Sequence, residues 1–185
     1  MRKNVLVFGL ISGLISTVWM LGFIMIVGTD PDIEHGELYG YGAMIVAFSF
    51  IVVGVKNYRD KHLGGYISFG KAFKLGFLIT LTASTLYVVS WLVYYYTSDT
   101  NFIEVYIQCL NKQLVESGAG AAEIAKQAED MKRFAEWYKN PFFNAAVTYS
   151  EILPLGTVVA LITALVLKRR QRPEDTRTND QTSIH

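Results

Sequence analysis

Four stretches of this chain contain no charged residue: Asn4–Gly28, Leu38–Val55, Leu75–Ser98 and Ile152–Leu167. Hydrocarbon offers no water to a bare peptide group, so a chain that enters it must satisfy its backbone internally, as a helix does. About 20 mostly apolar residues span the roughly 30 Å of a bilayer core. Four such runs in 185 residues, 51% of them apolar, predict an all-α polytopic membrane protein. Its four transmembrane helices are expected at about 4–28, 38–55, 74–97 and 148–167.

Charge fixes the expected orientation. Arg2 and Lys3 precede the first span, Lys56, Arg59, Lys61, Lys71 and Lys74 surround the link between the second and third, and Lys168, Arg169, Arg170, Arg172 and Arg177 follow the fourth. The other two links hold most of the acidic residues. Basic residues near span ends mark the cytoplasmic side, so both termini are expected inside. The first run is too long for a signal-peptide core and no A-x-A site follows it, which makes it a retained span. The net charge of +1 leaves no basic domain for nucleic acid. Cys109 is the only cysteine, which excludes an internal disulfide and a cysteine-based metal site.

Between the third and fourth spans the sequence becomes polar but keeps helical order. Asn101 and Glu104 have capping-box spacing, and Val105, Cys109 and Leu114 recur at helical intervals. Gly118–Gly120 interrupts that helix. A second begins near Ala121, carries Ile124, Ala128, Met131, Ala135 and Tyr138 on one face, and stops at Asn140 and Pro141. Residues 101–139 are therefore expected to form an extracytoplasmic helical hairpin, the natural surface for a protein partner or a simple cap on the bundle. Residues 1–172 make one membrane domain, and the polar tail 173–185 should be disordered.

Within the spans, GLISG sets Gly9 and Gly13 four residues apart, a spacing that lets helix backbones approach closely, inside the bundle or in a homo-oligomer. Trp91, Tyr94, Tyr95 and Tyr96 gather at the outer end of the third span, where amphipathic rings anchor at the headgroups. Arg59 beside Asp60 is the corresponding anchor on the inner side; the basic, aromatic segment after it suits anionic lipid.

Glu37 and Glu151 are the candidate intramembrane site. At 1.5 Å per residue Glu37 stands about 27 Å above Val55 and Glu151 about 24 Å above Leu167, so both fall in one layer near the outer face. Pro154 has no N–H and frees the Ser150 carbonyl one turn earlier. Two carboxylates and a free carbonyl can hold a cation or pass a proton. The alternative is that Glu151 pairs near the interface and the proline only bends the helix. In the outer loop, Asp30, Asp32, Glu34 and His35 form a candidate cation loop, without the glycine and distal glutamate of an EF-hand. His35, His62 and His185 fall on opposite sides or in the tail, so no three-histidine metal site assembles. GxSxG and P-loop patterns are absent, and no cofactor is expected.

Several pieces of the chain occur together in one family. Glu37, Gly40 and Tyr41 open the second span, and Tyr58, Arg59 and Asp60 close it. ISFGKAFKLG supplies Phe69, Gly70, Ala72, Phe73 and Gly76; EILPLG supplies Glu151, Pro154 and Gly156. In the order and spacing of these pieces, from about Val5 to Leu167, the chain resembles the bacterial membrane proteins known as domain of unknown function 4199. The resemblance implies a small polytopic protein of a bacterial inner membrane and brings no established activity. The expected function is a non-catalytic membrane subunit, structural or partner-binding through residues 101–139. The alternative is a cation or proton transporter component that uses Glu37 and Glu151.

Overall fold

The computed structural model describes residues 1–27, 36–98 and 102–169. The expected loop with Asp30, Asp32, Glu34 and His35, the cap at Asn101 and the tail 173–185 lie outside the described residues. Six helices follow one another among the described residues: α1 (Arg2–Val27), α2 (Gly36–His62), α3 (Phe69–Thr97), α4 (Phe102–Glu116), α5 (Ala121–Tyr138) and α6 (Pro141–Leu167). Among the described residues there is no strand, only an isolated antiparallel bridge between Ile67 and Arg169. Of the described residues, three segments, Arg2–Met25, Phe69–Thr97 and Pro141–Leu167, are long and apolar enough to cross a membrane. Leu6, Leu10, Leu14 and Val18 on α1 and Val158, Leu161, Leu165 and Val166 on α6 are exposed. Continuous apolar surface of this kind suits contact with lipid.

Local chemistry explains the helix ends. After α2, Gly64 and Gly65 take φ of 60° and 86°, and the amides of Leu63 and Gly65 both donate to the Arg59 carbonyl. The left-handed backbone at that position favours glycine. Gly118, at φ 78°, plays the same part after α4, as the GAG break predicts. Asn140 and Pro141 do more than stop α5. The Asn140 side chain accepts the Phe142 amide at 2.9 Å, and Pro141 occupies the first helical position, where its missing N–H costs nothing. The sequence sets the start of the fourth apolar segment at Thr148; the helix that contains it starts at Pro141. It then runs without interruption through Pro154.

The chain divides into two compact units. The first comprises residues 1–12, 48–83 and 153–185. Its core is Phe48, Ile51 and Val55 of α2, Ala72, Leu75 and Ile79 of α3, and Ala160 and Ala164 of α6. Small residues set the helix separations here. A Cβ on Gly9 would lie 2.6 Å from the Thr82 Cβ, and one on Gly76 would lie 3.0 Å from the Ala160 Cβ. A Cβ on Gly156 would collide with the Thr80 methyl group. This close approach lets the Thr80 hydroxyl reach the Gly156 carbonyl at 3.2 Å while it also bonds Gly76 within its own helix. Asn4 and Asn57 join α1 to α2 by an amide hydrogen bond of 3.3 Å. Arg59 pairs with Asp60 at 2.7 Å, and this hydrogen bond holds the Asp60 carboxyl below its ordinary pKa. The bridge at Ile67 places the Arg169 guanidinium 5.8 Å from the centre of the Tyr66 ring.

The second unit comprises residues 13–47 and 84–152. Its core gathers Met20, Trp91 and Tyr138, with Tyr87, Tyr94, Tyr95, Phe134, Phe143 and Val147 packed against them. Helices α4 and α5 contact one another within it.

In lipid an interhelical hydrogen bond contributes about 0.6 kcal/mol on average. Overpacking a tight contact costs about 1–3 kcal/mol. Packing therefore outweighs the bond at Gly156. Gly156→Ala is expected to destabilise the protein by about 1–3 kcal/mol, read as a lower unfolding midpoint in mixed micelles. Gly22→Ala, which meets nothing within 4 Å, is expected to leave the midpoint in place.

Candidate functional site

The second unit contains a partly open cavity of about 340 Å³. Side chains from all six helices wall it: Ser16, Trp19, Met20, Phe23 and Ile24 from α1, Met44 from α2, Tyr87 and Trp91 from α3, Ile103 from α4, Phe134 and Tyr138 from α5, and Val147, Thr148 and Glu151 from α6. The wall is mostly aromatic and aliphatic, with a few polar groups, and its volume is at the small end of the roughly 300–1,000 Å³ of ligand pockets.

Two elements of α6 explain how polar groups come to this wall. Residues 144, 148 and 151 are spaced four and three apart, so Asn144, Thr148 and Glu151 share one face of the helix. Asn144 is fully buried. Its side-chain oxygen accepts the Trp91 indole N–H at 3.0 Å, and the same N–H reaches the Tyr138 hydroxyl at 3.1 Å. Thr148 donates to the Asn144 backbone carbonyl at 2.9 Å and approaches its side-chain oxygen at 3.4 Å. One indole hydrogen is thus shared between α5 and α6. Burial raises the Tyr138 pKa above its ordinary value while the hydrogen bond from Trp91 opposes that rise, so the phenol stays neutral. The Asn144 side-chain nitrogen is buried and makes no hydrogen bond among the described residues.

Around this centre, Thr17 donates to Ser90 at 3.3 Å and joins α1 to α3. Tyr149 donates to Thr85 at 2.8 Å and joins α6 to α3. Tyr95 meets Tyr138 edge to face, with ring centres 5.3 Å apart.

The sequence candidates fall out differently. Trp91 is only 7% exposed. Its ring packs inside the protein, where its N–H is the donor at the centre of the unit. Tyr94 and Tyr95 pack on the same core. Tyr96 is exposed and donates to the Lys139 carbonyl at 3.0 Å. Glu151 is exposed in the cavity wall and makes no hydrogen bond or ion pair among the described residues. Glu37 lies in the first turn of α2, and its side chain is outside the described residues. Pro154 is exposed in α6 and belongs to the other unit.

Sequence reasoning missed Asn144, Thr148, Tyr138, Phe134, Tyr87, Trp19 and Ser16. The legible signal was Asn144, a fully polar amide in the otherwise apolar FFNAAV, in helical register with Thr148 and Glu151.

Removing the indole N–H tests the arrangement. Trp91→Phe removes the indole donor from the Asn144 oxygen and the Tyr138 hydroxyl and leaves the Asn144 oxygen only the longer Thr148 contact, and an under-satisfied buried group costs about 1–3 kcal/mol. A loss of that size in unfolding free energy is expected, whereas Tyr96→Phe, at an exposed bond, should change stability by less than about 1 kcal/mol.

A family model described as protein of unknown function (DUF4199) matches residues 7–169. No curated protein and no solved structure matches the chain.

Proposed function

We propose, from the premise that this chain belongs to the DUF4199 family of proteins of unknown function, that it is a non-catalytic integral membrane protein whose helices α4 and α5 bind a protein partner. The reading has four spans, α1, α2, α3 and α6, in a bacterial inner membrane, with both termini cytoplasmic and α4 and α5 forming a hairpin on the outer side. The fourth span is supported by α2, whose 27 residues reach about 40 Å at 1.5 Å each and include the charge-free run Leu38–Val55. Orientation is supported by the distribution of the 17 basic residues, all but five of which flank the termini and the link between α2 and α3.

One observation carries the partner-binding role. Helix α5 is fixed through its one buried residue, Tyr138, while the neighbouring Trp137 is 61% exposed. A large amphipathic ring held out from a firmly anchored helix is the residue type enriched at protein interfaces. Around it the exposed surface carries charge, with Arg133 paired to Glu129 and Lys139, just after α5, paired to Glu136. Exposed pairs of this kind add little stability and leave a polar rim around the ring.

A photo-crosslinking amino acid at position 137, in native membranes, is expected to capture a protein of discrete mass. Replacing residues 102–138 by a flexible linker should abolish the larger membrane complex. Lipid adducts alone, with the complex unchanged by that replacement, would contradict the role. Orientation is checked with Lys126→Cys in a Cys109→Ser background: a membrane-impermeant maleimide should label it in intact spheroplasts, and labelling only after lysis would reverse the topology.

A further inference from the structure

Among the described residues, Glu151 is the only charged residue in the wall of the cavity. Trp19, Phe23, Tyr87, Trp91, Phe134 and Tyr138 place six aromatic rings in the same wall. The carboxylate is exposed there and makes no hydrogen bond or ion pair among the described residues. We propose that this cavity binds an organic ammonium ion carried on an apolar body, with Glu151 as its counter-ion and the aromatic wall as its enclosure.

Competing occupants fit less well. An anion would meet the Glu151 carboxylate with no cationic side chain among the described wall residues to offset it. A calcium ion takes six to eight oxygen ligands, and apart from Glu151 the side-chain oxygens in this wall are the hydroxyls of Ser16, Tyr87, Tyr138 and Thr148. Magnesium is held by oxygen in strict octahedral geometry, which a wall of rings and aliphatic groups does not supply. A neutral hydrocarbon would fill the space but leave the carboxylate unpaired in an apolar setting, which is costly. An alkylated ammonium ion satisfies both features: its charge pairs with the carboxylate and its weakly hydrated alkyl groups lie against aromatic rings, whose electron-rich faces attract cations. The volume of about 340 Å³ admits a small molecule of this kind. The same chemistry is offered by a free hydrophobic amine and by the headgroup of a choline lipid. The inference stands apart from the partner-binding role of α4 and α5 and does not require it.

The test uses the full-length protein in nanodiscs of phosphatidylglycerol, which carries no amine. Benzyltrimethylammonium is titrated beside neopentylbenzene, its uncharged carbon isostere, and binding is read from tryptophan fluorescence, since Trp19 and Trp91 lie in the wall. A saturable change with the cation is expected, with at least about tenfold weaker binding of the isostere. Glu151→Gln should weaken the cation by at least about tenfold, and Glu151→Asp should restore most of that loss. Repeating the titration in phosphatidylcholine nanodiscs separates the two sources. Weaker binding there means that the lipid headgroup occupies the site, and unchanged binding means that a free amine does; both support the assignment. No saturable change in the native protein would overturn it, as would equal affinity for cation and isostere. Because that comparison is made on the native chain, it decides even where a variant fails to fold. Undiminished binding to a folded Glu151→Gln protein would overturn the part assigned to the carboxylate and with it the ligand class.

Discussion

One hydrogen atom holds three helices of the second unit together. The Trp91 indole N–H projects from α3 and is shared by the Tyr138 hydroxyl of α5 and the Asn144 side chain of α6. Tyr138 is the buried residue of α5, so the attachment of that amphipathic helix rests largely on this contact and on the rings of Phe134 and Tyr95 packed around it. Asn144 would be costly inside an apolar core without the indole, because a buried amide with no partner forfeits its hydration. The indole, in turn, needs acceptors once it is buried. Each member of the trio makes the burial of the others affordable.

The first unit is held by a different device. Lipid is as apolar as leucine, so apolar side chains gain little by leaving lipid for each other, and association relies on close packing. Gly9, Gly76 and Gly156 supply it by removing the side chains that would keep backbones apart. At Gly156 the approach is close enough for Thr80 to bond a carbonyl of the neighbouring helix. The Thr80 hydroxyl connects two of the sequence pieces behind the family resemblance, since it bonds the carbonyls of Gly76 in ISFGKAFKLG and Gly156 in EILPLG. Gly76 and Gly156 therefore have a packing role, whereas Glu151, from the same EILPLG piece, lines the cavity of the other unit.

The parts of this protein that were legible in its sequence are those governed by composition along the chain. Charge-free runs marked the apolar helices, Gly118–Gly120 marked the break before Ala121, and Asn140 with Pro141 marked the end of α5. What stayed hidden was rotation. A helix that is apolar on every side has no stripe to say which face turns inward, so nothing in YVVSWLVYYY says that the Trp91 ring packs inside the protein. Asn140 and Pro141 were legible as a stop and not as a start, because one dipeptide serves both helices: it ends α5 and, through a side-chain cap and a proline at the first position, begins α6. Glu151 stood out as an unexpected charge, but its neighbours in space come from distant parts of the chain, among them Ser16, Tyr87 and Tyr138. Spacing within one segment cannot supply such neighbours.

The cavity and the attachment of α5 both depend on the shared indole hydrogen, which makes its protection from water the most direct measure of the account. The chain has three tryptophans, and labelling their indole nitrogens with ¹⁵N in detergent-solubilised protein gives a small set of resonances that single substitutions assign. The Trp91 indole N–H is expected to exchange with D₂O far more slowly than that of Trp137, which is 61% exposed, and Asn144→Ala should erase much of the difference. Exchange at Trp91 as fast as at Trp137 would contradict the account, because the hydrogen on which the unit depends would then be open to solvent.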